Sequence, residues 1–353
     1  MKKINYKIYI SLGLTGVWFL LCIFAFSVVY RAYSHRPYPT PRDIEEKNTV
    51  EIIAVGDIML SRLVARQAEK SGNTEWMWEN ISIFLKESDF NFWNLESPTN
   101  GTSIYSYEET MTFNSPPELL KTLANMNFAI INLANNHALD QGAVGLEKTQ
   151  KLLEEKNIHF IGAWKNLLEA WKPKIIEKNG IKIAFIGASY ASVNDNWATL
   201  NTFIARMQEQ EKLKEALVES KKNADIVIVS MHGGEEYTRT PTKLQTEFAR
   251  TAIDYGADIV IGGHPHWTQW IEKYNAKYIL YSLWNFIFDQ EFSTETKTGL
   301  AIKIIIEKND TKKIREIELY PIIIENYGQP RLLSGEAKKK ALSDIGQIDT
   351  ILR

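Results

Sequence analysis

The chain has 353 residues, 44% of them hydrophobic, and a formal net charge of −2. That length accommodates one large domain with a substantial core or two small ones. Near-balanced charge excludes a generally basic nucleic-acid-binding surface and an acidic disordered chain, and a lone cysteine, Cys22, excludes an intrachain disulfide or a thiolate metal site.

Residues 1–7 form a short arm. Residues 8–30 carry no charge, a run longer than the roughly 20 residues that a helix needs to cross a bilayer. An uncleaved N-terminal transmembrane helix is expected there. The run exceeds a signal-peptide core, Ala25-Phe26-Ser27 is followed by more apolar sequence, and Phe19-Leu20-Leu21 before Cys22 lacks the small residue of a lipoprotein site. Lys2, Lys3 and Lys7 precede the span, while Arg31, Arg36 and Arg42 follow it. The added N-terminal amine and the short arm favour the N-terminus inside and the bulk of the chain outside the cell membrane. Residues 31–49 form a linker in which Pro37, Pro39 and Pro41 favour extended chain. The folded domain is expected over residues 50–324, followed by a C-terminal extension over 325–353 that includes a helix at 336–352.

Within the domain, short apolar strands are expected at 51–55, 90–95, 128–133, 226–229, 259–261 and 278–283, and helices at 144–156, 209–222 and 244–255. Asn179-Gly180 between two apolar runs predicts a type I′ hairpin. Residues 300–307 and 314–320 around Asn309-Asp310 predict a second hairpin, with irregular chain after Pro321. Alternation of strand and helix argues an α/β fold, and the hairpins argue sheets that are not purely parallel.

Polar residues suited to metal binding recur just after the apolar strands: Asp57, Glu96, Asn136 with His137, His232, and His264 with His266. Ligands gather at the carboxyl ends of strands in open α/β sheets, so residues far apart in sequence can converge. Imidazole, carboxylate and amide oxygen together suit a divalent transition metal such as Mn, Zn or Fe better than Ca. Each residue also has a plainer reading. Asp57 can cap a helix, Glu96 and Asn135-Asn136 can be turn residues, His137 can be a satisfied core histidine, and His232 can lie in a surface loop. The cluster Gly262-Gly263-His264-Pro265-His266 is the hardest to dismiss, because a strand, two glycines and a proline hold both imidazoles.

Six segments taken together resemble the CapA family of capsule and poly-γ-glutamate synthesis proteins, related to calcineurin-like metallophosphatases. They are Val55-Gly56-Asp57-Ile58-Met59-Leu60, Asn94-Leu95-Glu96, Ala134-Asn135-Asn136-His137-Ala138-Leu139-Asp140, Met231-His232-Gly233-Gly234-Glu235, Gly263-His264-Pro265-His266, and the run from Tyr281 to Gln290. The resemblance implies a four-layer αββα metallophosphatase-like sandwich and a role in making, attaching or exporting an extracellular polymer. It implies that Asp57 and His266 serve a first metal position, that Asn136, His232 and His264 serve a second, and that Glu96 bridges them, for one or two ions in all. It gives His137 the task of protonating a leaving group or contacting a substrate oxyanion. Three residues depart from the family pattern: Met59 stands where relatives place a histidine ligand, Glu96 replaces the bridging aspartate, and Trp284 stands where glycine is expected.

Two functions follow. One is a metal-dependent hydrolase or transferase acting on an ester, phosphoester or amide during polymer assembly. The other is a non-catalytic subunit that binds an anionic extracellular polymer or steadies a membrane synthase. A tethered cytosolic phosphatase is a third, weaker reading. No nucleic-acid partner is expected. Residues 101–114 can lie over the site or merely connect, and Arg62, Arg66 and Arg239, near motif segments, can contact carboxylates bidentately, although solvated surface charge is their simpler reading.

Overall fold

The computed structural model of the protein describes residues 47–107, 110–190, 203–309 and 311–353. In chain order the elements are β1 (Thr49–Ala54), β2 (Asp57–Ile58), α1 (Arg62–Ser71), α2 (Ser82–Leu85), β3 (Phe90–Asn94), α3 (Pro117–Asn125), β4 (Phe128–Asn132), α4 (Gly142–Glu155) and β5 (His159–Ile161). Next come α5 (Leu167–Ala170), β6 (Lys174–Lys178), β7 (Ile181–Ser189), α6 (Gln210–Asn223), β8 (Ile226–His232), α7 (Lys243–Asp254), β9 (Ile259–Gly263), β10 (Ile271–Tyr274) and β11 (Lys277–Leu280). The last are β12 (Asn285–Ile287), α8 (Thr294–Lys297), β13 (Thr298–Lys308), β14 (Lys312–Glu325), β15 (Gln329–Leu332), α9 (Gly335–Ser343) and β16 (Ile351–Leu352).

Two large sheets form a mixed α/β sandwich. The first has the order β15-β14-β13-β1-β3-β4-β5, with β16 on β14; the second has the order β10-β11-β9-β8-β7-β6. Neighbours β1, β3, β4 and β5 are parallel, as are β7, β8, β9 and β11, whereas β13 to β16, β6 and β10 join antiparallel. Successive side chains on a strand point to opposite faces, and the second sheet shows what each face buries. Ile183, Phe185, Ile226, Ile228, Ile259 and Ile261 pack in one cluster with Ile52, Phe92 and Ile304 of the first sheet. Their neighbours Ala184, Ile186, Val227, Val229 and Val260 pack instead with Leu213 and Leu217 of α6 and Phe248 and Ala252 of α7. Burying each such Ile or Phe side chain contributes about 1.5–3 kcal/mol before the entropy of ordering it. On α7 the apolar residues fall on one stripe, and Thr242 with Gln245 closes a capping box at its start.

Local signals explain several junctions. Asn179 and Gly180 both have positive φ, 50° and 71°, as a type I′ turn requires, and they join the antiparallel pair β6–β7. The β13–β14 hairpin is longer than expected, because β14 continues through Pro321 instead of ending there. The Pro321 carbonyl accepts from Leu333 N–H, on the side away from β13, so the missing proline N–H costs the β13–β14 ladder nothing. The final helix is shorter than the 336–352 expectation: it stops at Ser343, Gly346 turns with φ 73°, and Ile351-Leu352 return to pair with Ile317-Glu318 of β14. The expected transmembrane helix lies outside the described residues. Among the described residues no helix is long and apolar enough to cross a membrane.

Candidate metal centre

The parallel strands set the site. Asp57 follows β1, Glu96 follows β3, Asn136 and His137 follow β4, His232 ends β8, and His264 and His266 follow β9. All are at carboxyl ends, and all are buried. The two sheets therefore aim seven residues, spread over 210 positions of chain, at one place.

Asp57 is anchored on both oxygens. Trp93 Nε1–H (3.1 Å) and Asn94 Nδ2–H (2.9 Å) donate to its Oδ1, and the His264 backbone N–H donates to Oδ2 at 2.9 Å. Two glycines make room. A Cβ on Gly56 would lie 1.8 Å from the Trp284 carbonyl oxygen, and one on Gly263 would lie 2.6 Å from Asp57 Oδ1. Glu96 is the reverse case: it is fully buried, yet neither carboxylate oxygen has a hydrogen-bond partner among the described residues. Its Oε1 instead faces His232 Nε2 at 3.7 Å and His137 Nε2 at 3.8 Å.

The imidazoles are held by their other nitrogens. Asn285 Oδ1 lies 2.7 Å from His266 Nδ1, and the Asn285 amide is oriented by its Nδ2–H bonds to Gln290 Oε1 and the Thr296 carbonyl. His266 therefore donates from Nδ1 and keeps Nε2 available. A longer chain of amides fixes His232. The backbone holds Asn135, which accepts from His137 N–H and donates to the Leu95 carbonyl and to Asn94 Oδ1. Asn94 thus presents its Nδ2–H to His232 Nδ1 at 3.2 Å, and His232 Nε2 and Asn136 Oδ1 face each other at 2.8 Å, a spacing that two ligands of one ion share. His264 Nε2 meets the Tyr190 hydroxyl at 2.8 Å, while its Nδ1 has no partner among the described residues. His137 pairs through Nδ1 with Asp140 Oδ2 at 2.8 Å and stacks on Phe113 at 4.0 Å.

Burial dominates the electrostatics. It raises the pKa of Asp57, against the opposing effects of His266 and of three hydrogen bonds. It pushes Glu96 well above the ordinary carboxyl value, reinforced by the negative charge of Asp57. It holds His232 and His264 well below the usual imidazole value, helped by the neighbouring rings, and lowers His266 to about 4 despite Asp57 and Asn285. Each group thus resists its charged form in a cluster rich in donor atoms, the condition that a divalent cation would relieve. Donor atoms of Glu96, His232 and His264 all lie within 4.8 Å of one another, and so do those of Asp57, Glu96 and His266; Glu96 belongs to both groups. With the unpartnered Glu96 oxygens and His264 Nδ1, these groups fit a divalent metal, and the mixed nitrogen–oxygen donor set suits a transition ion. Met59 is buried, and its sulfur accepts from Ser61 N–H at 3.1 Å, a contact that holds it within its own turn.

The backbone bears strain at the same place. His264, His266, Trp284 and Arg62 have φ of 97°, 49°, 80° and 46°, a region disfavoured for side-chain-bearing residues. At Trp284 this accounts for the expectation of glycine. Trp284 is fully buried, and its indole N–H donates to the Thr296 carbonyl.

Several site residues escaped the sequence reading. Arg62, whose simpler reading was a surface charge, is buried and makes the alternative bidentate contact: Asp289 forks its guanidinium through Nε and Nη2, and the Phe113 and Phe288 rings flank it at 4.9 and 5.7 Å. Phe113, near the end of the 101–114 segment, stacks on His137. Asn94 and Asp140 lay inside quoted motifs, and the spacing of three between His137 and Asp140 in a turn was a usable signal. Asn285 and Asp289 lie inside the run from Tyr281 to Gln290, whereas Tyr190 carries no such signal.

Residues 51–290 match the family model described as bacterial capsule synthesis protein PGA_cap. The chain is 32% identical over 343 residues to the PGA biosynthesis protein CapA of Bacillus subtilis (strain 168), covering 97% of this chain and 87% of that one. It is 30% identical over 301 residues to the capsule biosynthesis protein CapA of Bacillus anthracis, covering 83% of this chain and 72% of that one. Among solved structures, NAD nucleotidase of Haemophilus influenzae is 15% identical with a TM-score of 0.45, over 86% of this chain and 63% of that chain. The extent of the family match and the two CapA relatives place this chain in the bacterial capsule synthesis protein family.

Proposed function

We propose that this chain is a membrane-anchored protein of capsule or poly-γ-glutamate biosynthesis that acts outside the cell as a metal-dependent hydrolase or transferase, on a metallophosphatase-like αββα scaffold. The observation that carries the reading is Glu96, a buried carboxylate whose two oxygens have no hydrogen-bond partner among the described residues, set among four imidazoles and beside a second carboxylate. Asp57, Glu96 and His266 would hold one ion of Mn, Zn or Fe, and Glu96, His232 and His264, with Asn136, a second. Such an ion supplies Lewis-acid polarisation and lowers the pKa of bound water.

The protein's own groups have distinct tasks. Asp140 accepts from His137 Nδ1–H, which orients the ring and leaves Nε2 to hold or deliver a proton at the Glu96 side of the site. Stacking on Phe113 keeps the ring in that plane. Arg62 contributes a fixed positive charge close enough to lower the pKa of Glu96. The substrate is an anionic extracellular polymer or its precursor. The partners are the membrane, through residues 8–30, and the subunits of a membrane synthase; nucleic acid is not one of them.

Elemental analysis of the purified chain, beside Asp57→Ala and His264→Ala, tests the reading. About one or two transition ions per chain, lost in both variants, is the expected result. A folded chain that takes up none after reconstitution with Mn, Zn and Fe moves the function to a polymer-binding or scaffold subunit, the reading favoured by Met59 in place of a ligand. Protease digestion of intact cells tests the location: survival of the large domain would count against an outside position.

A further inference from the structure

We infer that Tyr190 is a positioning residue of the metal centre, and that it commits His264 to bind a divalent cation through Nδ1; the inference rests on the metal-centre reading above. Tyr190 sits immediately after β7, whose end pairs with that of β8. Its own backbone is pinned on both sides: its N–H donates to the His232 carbonyl at 2.9 Å, and its carbonyl accepts from Arg206 Nη1 at 2.9 Å. Gly233 lets the ring in, since a Cβ there would lie 2.9 Å from Tyr190 Cβ and Cδ1. The hydroxyl then meets His264 Nε2 at 2.8 Å, with ring centroids 4.7 Å apart.

The consequence lies at the other ring nitrogen. An imidazole that donates from Nε2 to the tyrosine oxygen carries its lone pair on Nδ1. The opposite tautomer would bury an Nδ1–H with no acceptor among the described residues. Tyr190 therefore selects the ligating tautomer and fixes the ring plane, the task that carboxylates and carbonyls perform behind other metal-bound histidines. Asn285 does the converse for His266, holding Nδ1 so that Nε2 faces the cluster. The two histidines of the Gly263-His264-Pro265-His266 segment thus present different nitrogens to the same site.

The test is cation affinity, measured on the full chain by chelator competition with Zn and Mn and by the visible absorption spectrum of the Co-substituted protein. Tyr190→Phe removes one oxygen and keeps the ring. It is expected to weaken the affinity roughly 10–100-fold and to alter the Co spectrum, with an unchanged unfolding midpoint. Gly233→Ala leaves the hydroxyl chemically intact but displaces the ring, and is expected to shift affinity in the same direction. Wild-type affinity and an unchanged Co spectrum in folded Tyr190→Phe overturn the positioning role while leaving the metal centre standing. A wild-type chain that binds no cation overturns both.

Discussion

Glu96→Leu is predicted to stabilise the metal-free protein while abolishing metal uptake. Glu96 is wholly buried, and neither oxygen has a hydrogen-bond partner among the described residues. An unsatisfied buried polar group costs about 1–3 kcal/mol, and an apolar group of similar size removes that cost. A central value of about 2 kcal/mol corresponds to a rise in Tm of roughly 3 °C for a folded unit of about 300 residues. The sign with pH is also determined. The folded-state pKa of Glu96 lies above the ordinary 4.5, so its contribution is fully present below the unfolded value and is lost as pH rises through the folded one. The advantage of the leucine variant over wild type should therefore grow from acid to neutral pH. Chemical denaturation of both chains after chelation, followed by tryptophan fluorescence between pH 4 and 8, measures it. A variant less stable than wild type at every pH would refute the reasoning, because it would mean that Glu96 has partners in the folded protein.

Other substitutions probe other parts of the site. His266, lowered to about 4 from 6.5, acts in the opposite sense to Glu96: the unfolded chain takes up a proton first, so stability falls as pH drops from 6.5 to about 4. That loss is worth about 3 kcal/mol at 1.36 kcal/mol per pH unit. Denaturation midpoints of chelated wild type and His266→Phe should diverge in that window, and parallel curves would contradict the burial argument. Asp289→Ala strands the buried Arg62 guanidinium and should cost about 3–5 kcal/mol in thermal unfolding; a loss under about 1 kcal/mol would place Arg62 in solvent. Gly263→Ala drives a methyl against Asp57 Oδ1 and should lower cation affinity at least tenfold in a folded protein, as read by chelator competition.

The legible parts of this fold were those written in local chemistry. Short apolar runs mark β7 and β8, Asn179-Gly180 marks the β6–β7 turn, and polar residues at strand ends mark the ligand set before any sheet order is known. Short pairings such as β2–β12, two and three residues long, have no period to detect. The β10–β11 hairpin was also missed: its turn, Asn275-Ala276, adopts φ of 47° and 61°, with alanine where glycine would have given the signal. Side chains whose role depends on a distant partner were illegible for another reason. Arg62 reads as a surface charge until Asp289, 227 residues later, is brought to it. Tyr190 and Asn285 are ordinary residues whose meaning lies in the imidazole each one faces.

The placing of β1 between β3 and β13 also governs the order in which the molecule can be completed as it is synthesised. β1 pairs on one side with β3, which follows it closely, but on the other with residues 302–307, near the far end of the chain. The Asp57 N–H bonds to the carbonyl of Trp284, and the Asp57 carboxylate to the backbone of His264. A ribosome delivering this polypeptide from its N-terminus therefore releases Asp57 and Glu96 long before their partners exist, and pairings so distant in sequence form slowly. Until about residue 307 has emerged, β1, which leads into Asp57, is an open sheet edge, and the nascent chain depends on whatever covers that edge in the meantime.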